Sequence, residues 1–347
     1  MRIEVYAPTI RRKEMAAVLT AMVEDKIGPG EQSKILVQTA KEKIKFDYCL
    51  TLRSPAIALH LALKALSLEK GQSVLISALA PVYYARVIED LDLKAVFCDV
   101  LPSSACIGRE TAEKALLGAA GGKSAGCIII THTLGYIPDV EAIAALGLPV
   151  IEDCSRSYGT VMEGESNAGS LFSILGLEER DMLTSGGGAL LYSASRKDSA
   201  LLRNLFPQGQ NLPPEYGLPD MNAALAVVQF KEAAKNLLKR SEIAALYLQA
   251  AMRTRHKRFV EQNWEYNNYI FPLVLETSMN EVIAYARRKE IAVESAFEDT
   301  LTGRGMVSRE ECPEAFTLSL RTIVFPLYPR LGMTNAGKVA KLIQTLP

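Results

Sequence analysis

The sequence predicts an α/β protein: a mostly parallel central sheet between helical layers, followed by a smaller C-terminal α+β region. Three observations predict it. Short β-branched runs alternate with helix-period stretches between about residues 50 and 195. A segment rich in Pro, Gly and Asn, "FPQGQNLPPEYGLPD" (206–220), then breaks the alternation. A long helical stretch follows, and after it a second, shorter group of strands and helices.

The strands read as "SVLIS" (73–77), "KAVFCDV" (94–100), "CIIIT" (127–131), "PVIED" (149–153) and "GALLY" (188–192). Continuous apolar runs of this length suit strands buried on both faces. Between them, "PAIALHLALKAL" (55–66), "VYYARVIEDL" (82–91), "RETAEKALLGA" (109–119) and "DVEAIAAL" (139–146) carry helical spacing. Residues 221–252 read as one helix, with room for a kink. Beyond it, "NNYIFPLVLE" and "LRTIVFPLYP" read as strands and "NEVIAYARRKE" as a helix. The boundary is placed near residue 235, giving a large domain over 1–235 and a small one over 236–347. In open parallel sheets the ligand crevice lies beyond the carboxyl ends of the strands, where Asp99, His132 and Asp153 fall.

Composition narrows the function classes. Lys plus Arg (39) balances Asp plus Glu (39), so no global field draws the chain to nucleic acid or anionic membrane. Apolar residues at 49% and charged residues at 22% suit a soluble globular protein. The basic run "RTRHKR" (253–258) reads as a solvated helix end. The six cysteines lack CxxC spacing, which favours reduced structural thiols over a disulfide framework or a zinc site. With no signal-like or membrane-spanning run, the expected location is the cytoplasm, and no metal is expected.

An ordered series of segments resembles the DegT/DnrJ/StrS family, the sugar aminotransferases of the fold-type I pyridoxal-phosphate class. "SPAIALHLALKAL" sits where the family has S-G-T-A-A-L, "ITHTLGYIPDVEAI" is similar to its H-x-x-G-x-x-x-D, and "PVIEDCSRSYG" to its E-D-x-x-Q-x-x-G. "LPDMNAALAVVQF" and the C-terminal "LRTIVFPLYP" resemble its later helix and its L-P-L-Y-P segment. The resemblance implies a three-layer pyridoxal-phosphate-transferase fold, a homodimer and a nucleotide-sugar ligand.

The same resemblance assigns cofactor contacts, and several depart from the pattern. Asp153 matches the carboxylate that faces the pyridine nitrogen, and it also suits a cap on the following turn. Arg156 replaces a glutamine near the ring hydroxyl. Ser54, Pro55 and Ala56 replace the S-G-T of the phosphate turn, where proline supplies no N–H but makes a good helix start. Ser173 matches a phosphate-contacting serine. Pro81 occupies the place of the stacking aromatic ring, with Tyr83 and Tyr84 as substitutes, and Glu215 replaces an asparagine lent across the dimer.

The Schiff-base lysine is missing. Counting from Ser173 reaches Glu178, and counting back from the glycine pair reaches Arg180; no lysine lies between Gly159 and Arg196. Arginine stays protonated and glutamate has no nitrogen, so neither condenses with an aldehyde.

The leading reading is a non-catalytic binding or regulatory relative that keeps fold and dimer. It holds pyridoxal phosphate non-covalently or not at all, and binds a nucleotide sugar or a partner protein. A second reading is an enzyme on a sugar. It would use cofactor held by Asp153, Arg156 and Ser173, or cofactor-free acid–base chemistry at His132 or Asp153. A third is a true aminotransferase with a relocated lysine, such as Lys197 or one from a partner chain.

Overall fold

Strand–helix alternation builds a seven-stranded sheet in the computed structural model, which describes residues 2–25, 27–118, 125–162, 169–206, 212–259 and 264–347. Two N-terminal helices, α1 (Arg12–Val23) and α2 (Glu31–Lys41), lead into β1 (Tyr48–Leu52) and α3 (Pro55–Ala65). β2 (Ser73–Ser77), α4 (Tyr83–Asp90), β3 (Lys94–Cys98), α5 (Arg109–Gly118), β4 (Ala125–Thr131), α6 (Val140–Ala144) and β5 (Val150–Asp153) follow in strict alternation. After a short β6 (Val161–Met162), β7 (Phe172–Gly176) and β8 (Ala189–Ser193) close the large sheet, and α7 (Arg196–Leu205) leaves it.

The strand order is β1-β8-β7-β5-β4-β2-β3. β7, β5, β4, β2 and β3 run parallel, and β8 pairs antiparallel with both β7 and β1. Gly186, Gly187 and Gly188 all take positive φ in the turn into β8, a conformation open to glycine without strain.

Side-chain alternation sorts the sheet into two faces. Ile151, Phe172, Ile174 and Leu191 join α3 and α4 in one core. Leu175, Leu190 and Tyr192 turn the other way, onto the N-terminal half of α8 (Asp220–Ala251). This helix of 32 residues crosses residue 235 without a break. Its C-terminal half packs on a second core, built on β10 (Phe271–Val274), β11 (Glu294–Ser295), β12 (Thr322–Phe325), α9 (Met279–Arg288) and α11 (Gly332–Gln344). β9 (Trp264–Glu265) pairs with β6, and α10 (Pro313–Arg321) precedes β12. No described helix is long and apolar enough to cross a membrane. All six cysteines are free thiols.

Asp220 ties two of these helices together. Its buried carboxylate accepts hydrogen bonds from the backbone N–H groups of Gly30 (2.9 Å), Gln32 (3.1 Å) and Ser33 (3.2 Å), the open end of α2. A helix leaves such donors orphaned, and an ionised acceptor stabilises them strongly. Asp220→Ala is expected to cost about 2–3 kcal/mol in urea unfolding at neutral pH. Asp220→Asn, which keeps an acceptor, should lose less.

Candidate functional site

The turn after β5 gathers an unusual group of ionisable side chains. Asp153 ends β5 on the α3/α4 face and is 5% exposed. One of its oxygens accepts hydrogen bonds from the backbone N–H (3.0 Å) and the hydroxyl of Ser155, and the other accepts the Tyr84 hydroxyl from α4. Both acceptor oxygens therefore have protein donors. Tyr83 packs edge-on against Tyr84, with ring centroids 4.9 Å apart. Burial and the nearby Asp153 push both phenols well above their ordinary range, so they remain neutral donors.

Arg156, three residues on, lies with its guanidinium 5.6 Å from the centre of the Tyr269 ring. The Tyr269 hydroxyl donates to the carbonyl of Arg180 (2.8 Å), and the Tyr6 ring stands beside it. The third ionisable member besides the tyrosines is Asp181. Its carboxylate accepts from the Glu178 N–H (2.8 Å), and it fits because residue 176 is glycine. A Cβ at Gly176 would stand 2.3 Å from the Asp181 carboxylate and 2.7 Å from the Ser155 hydroxyl. Burial, and then the proximity of Asp153, raises Asp181 from the usual carboxylate range to about 7.

Sequence reasoning placed several residues here that the fold sends elsewhere. Ser173 pairs across β7 with Glu152 and Tyr192, whereas Asp153 pairs with Ile174. Paired residues share a face, so Ser173 leaves the opposite side of the sheet from Asp153, and the two do not converge on one ligand. His132 follows Thr131, the partner of Asp153, and so also turns to the opposite face. Its Nδ1 meets the Ser157 hydroxyl at 2.6 Å. Ser54 accepts from the Ile57 N–H (3.3 Å) as the N-cap of α3, with Pro55 in the first turn. Asp99 caps α10 through the N–H groups of Glu314 (3.1 Å) and Ala315 (2.8 Å).

The two lysine counts bracketed Glu178 to Arg180, and neither end turns into the crevice. Glu178 takes a hydrogen bond from the Gly188 backbone. Arg180 is half exposed, covers the Tyr6 ring at 4.5 Å and pairs with Glu294 at 3.1 Å. The inward residue is Asp181, one position further on. The available sequence signal was the small residue Gly176 at the end of an apolar strand, which marks a close approach.

The residues that the resemblance assigns to a pyridoxal phosphate are engaged within the protein. The pyridine nitrogen would need an Asp153 oxygen that already has donors, and the α3 turn offers a capping serine and a proline to the phosphate. A small cavity of about 30 Å³ adjoins Asp181, Arg240 and Tyr269, and its lining does not include Asp153.

Comparison with known proteins places this site in context. The fold matches TlmJ, an aminotransferase from Streptoalloteichus hindustanus, at 19% identity over 99% of this chain and 98% of that one, with a TM-score of 0.84. It matches the Streptococcus pneumoniae protein Spr1654 in its PLP form at 17% identity, 99% and 98% coverage and a TM-score of 0.88. Helicobacter pylori PseC, an aminotransferase involved in pseudoaminic acid biosynthesis, matches at 14% identity, 99% and 98% coverage and a TM-score of 0.86. These likenesses support the shared fold, and a family model matches the sequence itself over residues 8–344. The chain belongs to the DegT/DnrJ/EryC1/StrS aminotransferase family.

Proposed function

We propose that this chain is a binding or regulatory member of its family that does not carry out pyridoxal-phosphate-dependent transamination. The observation that supports this most strongly is the engagement of Asp153 by Tyr84 and Ser155, with Asp181 facing inward beside it. The carboxylate that would keep a pyridine ring protonated instead organises the protein's own hydroxyls. The absence of any lysine between Gly159 and Arg196 supports the same reading, since no local amine can condense with an aldehyde.

The ligand class we propose is a nucleotide sugar, by analogy with the family's substrates. The working assembly is a homodimer in the cytoplasm. The support for the dimer is a row of exposed apolar side chains on α1, Met15, Leu19, Met22 and Val23, at spacings that share one helical face.

The test is incubation with pyridoxal phosphate, reduction by borohydride and peptide mass mapping. The expected result is no stoichiometric pyridoxyl adduct. A single adduct at one defined lysine, such as Lys197, would overturn the proposal and establish a relocated nucleophile.

A further inference from the structure

On the face of the sheet opposite Asp153 lies a cavity of about 820 Å³, whose lining includes His132, Glu152, Cys154, Tyr158 and Tyr192. Three side chains of different donor type meet on its wall. Strand alternation puts Glu152 and Cys154 on one face of the chain, and the end of β4 brings His132 against them. Their imidazole nitrogen, carboxylate oxygen and thiol sulfur all lie within 4.8 Å of one another.

The spacing is informative. Glu152 Oε1 stands 3.2 Å from His132 Nε2 and 3.3 Å from Cys154 Sγ. Around a tetrahedral Zn²⁺ with bonds of about 2.0–2.3 Å, neighbouring ligand atoms stand roughly 3.3–3.6 Å apart. Two of the three separations already have nearly that value, and the third, between His132 and Cys154, is no more than 4.8 Å.

A buried His–Glu ion pair is the competing explanation: His132 is 2% exposed and its Nε2 lies within ion-pair range of Glu152. That pair does not account for the Cys154 thiol, which meets the same carboxylate oxygen from the other side of the cluster. The other ring nitrogen is anchored on Ser157, which fixes the ring in the manner of a metal-ligating histidine.

We propose that His132, Glu152 and Cys154 form a Zn²⁺ site with its fourth coordination position open to the cavity. Mixed nitrogen, oxygen and sulfur donors favour zinc over the oxygen-seeking Mg²⁺ and Ca²⁺. On binding, Cys154 releases its thiol proton to solvent, and a Zn–S bond replaces the sulfur's hydrogen bond to Glu152. Three protein ligands plus one open position is the arrangement of zinc that acts on a bound molecule. The site shares no residue with the Asp153 group, so it stands whether or not the chain transaminates.

The test uses the purified full chain with the metal alone. Zn²⁺ competition against a chromogenic chelator should show one equivalent bound. Co²⁺ should give a thiolate charge-transfer band together with the intense visible bands of tetrahedral cobalt. Cys154→Ser should abolish the charge-transfer band, and both it and Glu152→Gln should weaken Zn²⁺ binding by about tenfold or more. Metal-free melting curves establish that each variant is folded. A second measurement needs no variant: Zn²⁺ should slow alkylation of Cys154 selectively among the six cysteines. Absence of the thiolate band, undiminished Zn²⁺ affinity in both folded variants, or unchanged Cys154 alkylation would each overturn the proposal.

Discussion

Arg240→Met is expected to lower the unfolding free energy by about 3–5 kcal/mol, a large part of what an ordinary domain possesses. Arg240 projects from α8 and is buried. One guanidinium nitrogen donates to the carbonyls of Asn268 (3.2 Å), Tyr269 (2.7 Å) and Leu327 (2.7 Å). Burial lowers its pKa to about 10, which still leaves it protonated at neutral pH. Methionine would match much of the aliphatic stem and leave two buried carbonyls and one part-buried carbonyl without that donor. Urea unfolding at pH 7 measures the loss. Arg240→Lys should recover only part of it, because an ammonium lacks the planar spread of the guanidinium. A loss below about 1 kcal/mol would mean that water entering the adjoining space of about 30 Å³ replaces the guanidinium.

Asp181→Asn should change how stability depends on pH. The Asp181 carboxyl titrates near 7 in the folded protein, against an ordinary value of 3.8. Between those values the folded chain holds a proton that the unfolded chain has released. Stability from this group is therefore complete below about pH 4 and is lost as pH rises through about 7. The full difference amounts to about 2–4 kcal/mol, towards the lower end because Asp181 keeps some contact with solvent. Asparagine carries no such proton, so the variant should show a flatter profile from pH 4 to 8. Above pH 7 it should exceed the parent in stability. Parallel urea titrations at several pH values measure this, and parallel profiles for the two proteins would refute the assignment.

Much of the fold was legible because burial on both faces makes strands conspicuous. "SVLIS" coincides with β2, and "PAIALHLALKAL" begins where α3 begins, at Pro55. The long helix was found within one residue at each end, as one continuous element. The site was less legible for a geometric reason. Sequence order places Asp153, His132 and Ser173 near strand ends, but only the pairing register says which face each one takes. A shift of one residue reverses the answer, as Ser173 and Ile174 show. Asp181 was missed because the turn from Glu178 to Asp181 does not follow the family's spacing, and two counting rules stopped short of it. The cluster of His132, Glu152 and Cys154 could not be read from motif spacing, since its ligands come from two strands that meet only in the folded sheet.

The unbroken α8 also limits how the molecule can move. A rod of 32 residues is about 48 Å long. Its ladder of backbone hydrogen bonds runs without a Pro or Gly interruption through the place where a hinge would otherwise sit. Swinging the small sheet away from the large one would have to bend that rod, so jaw-like gaping is costly.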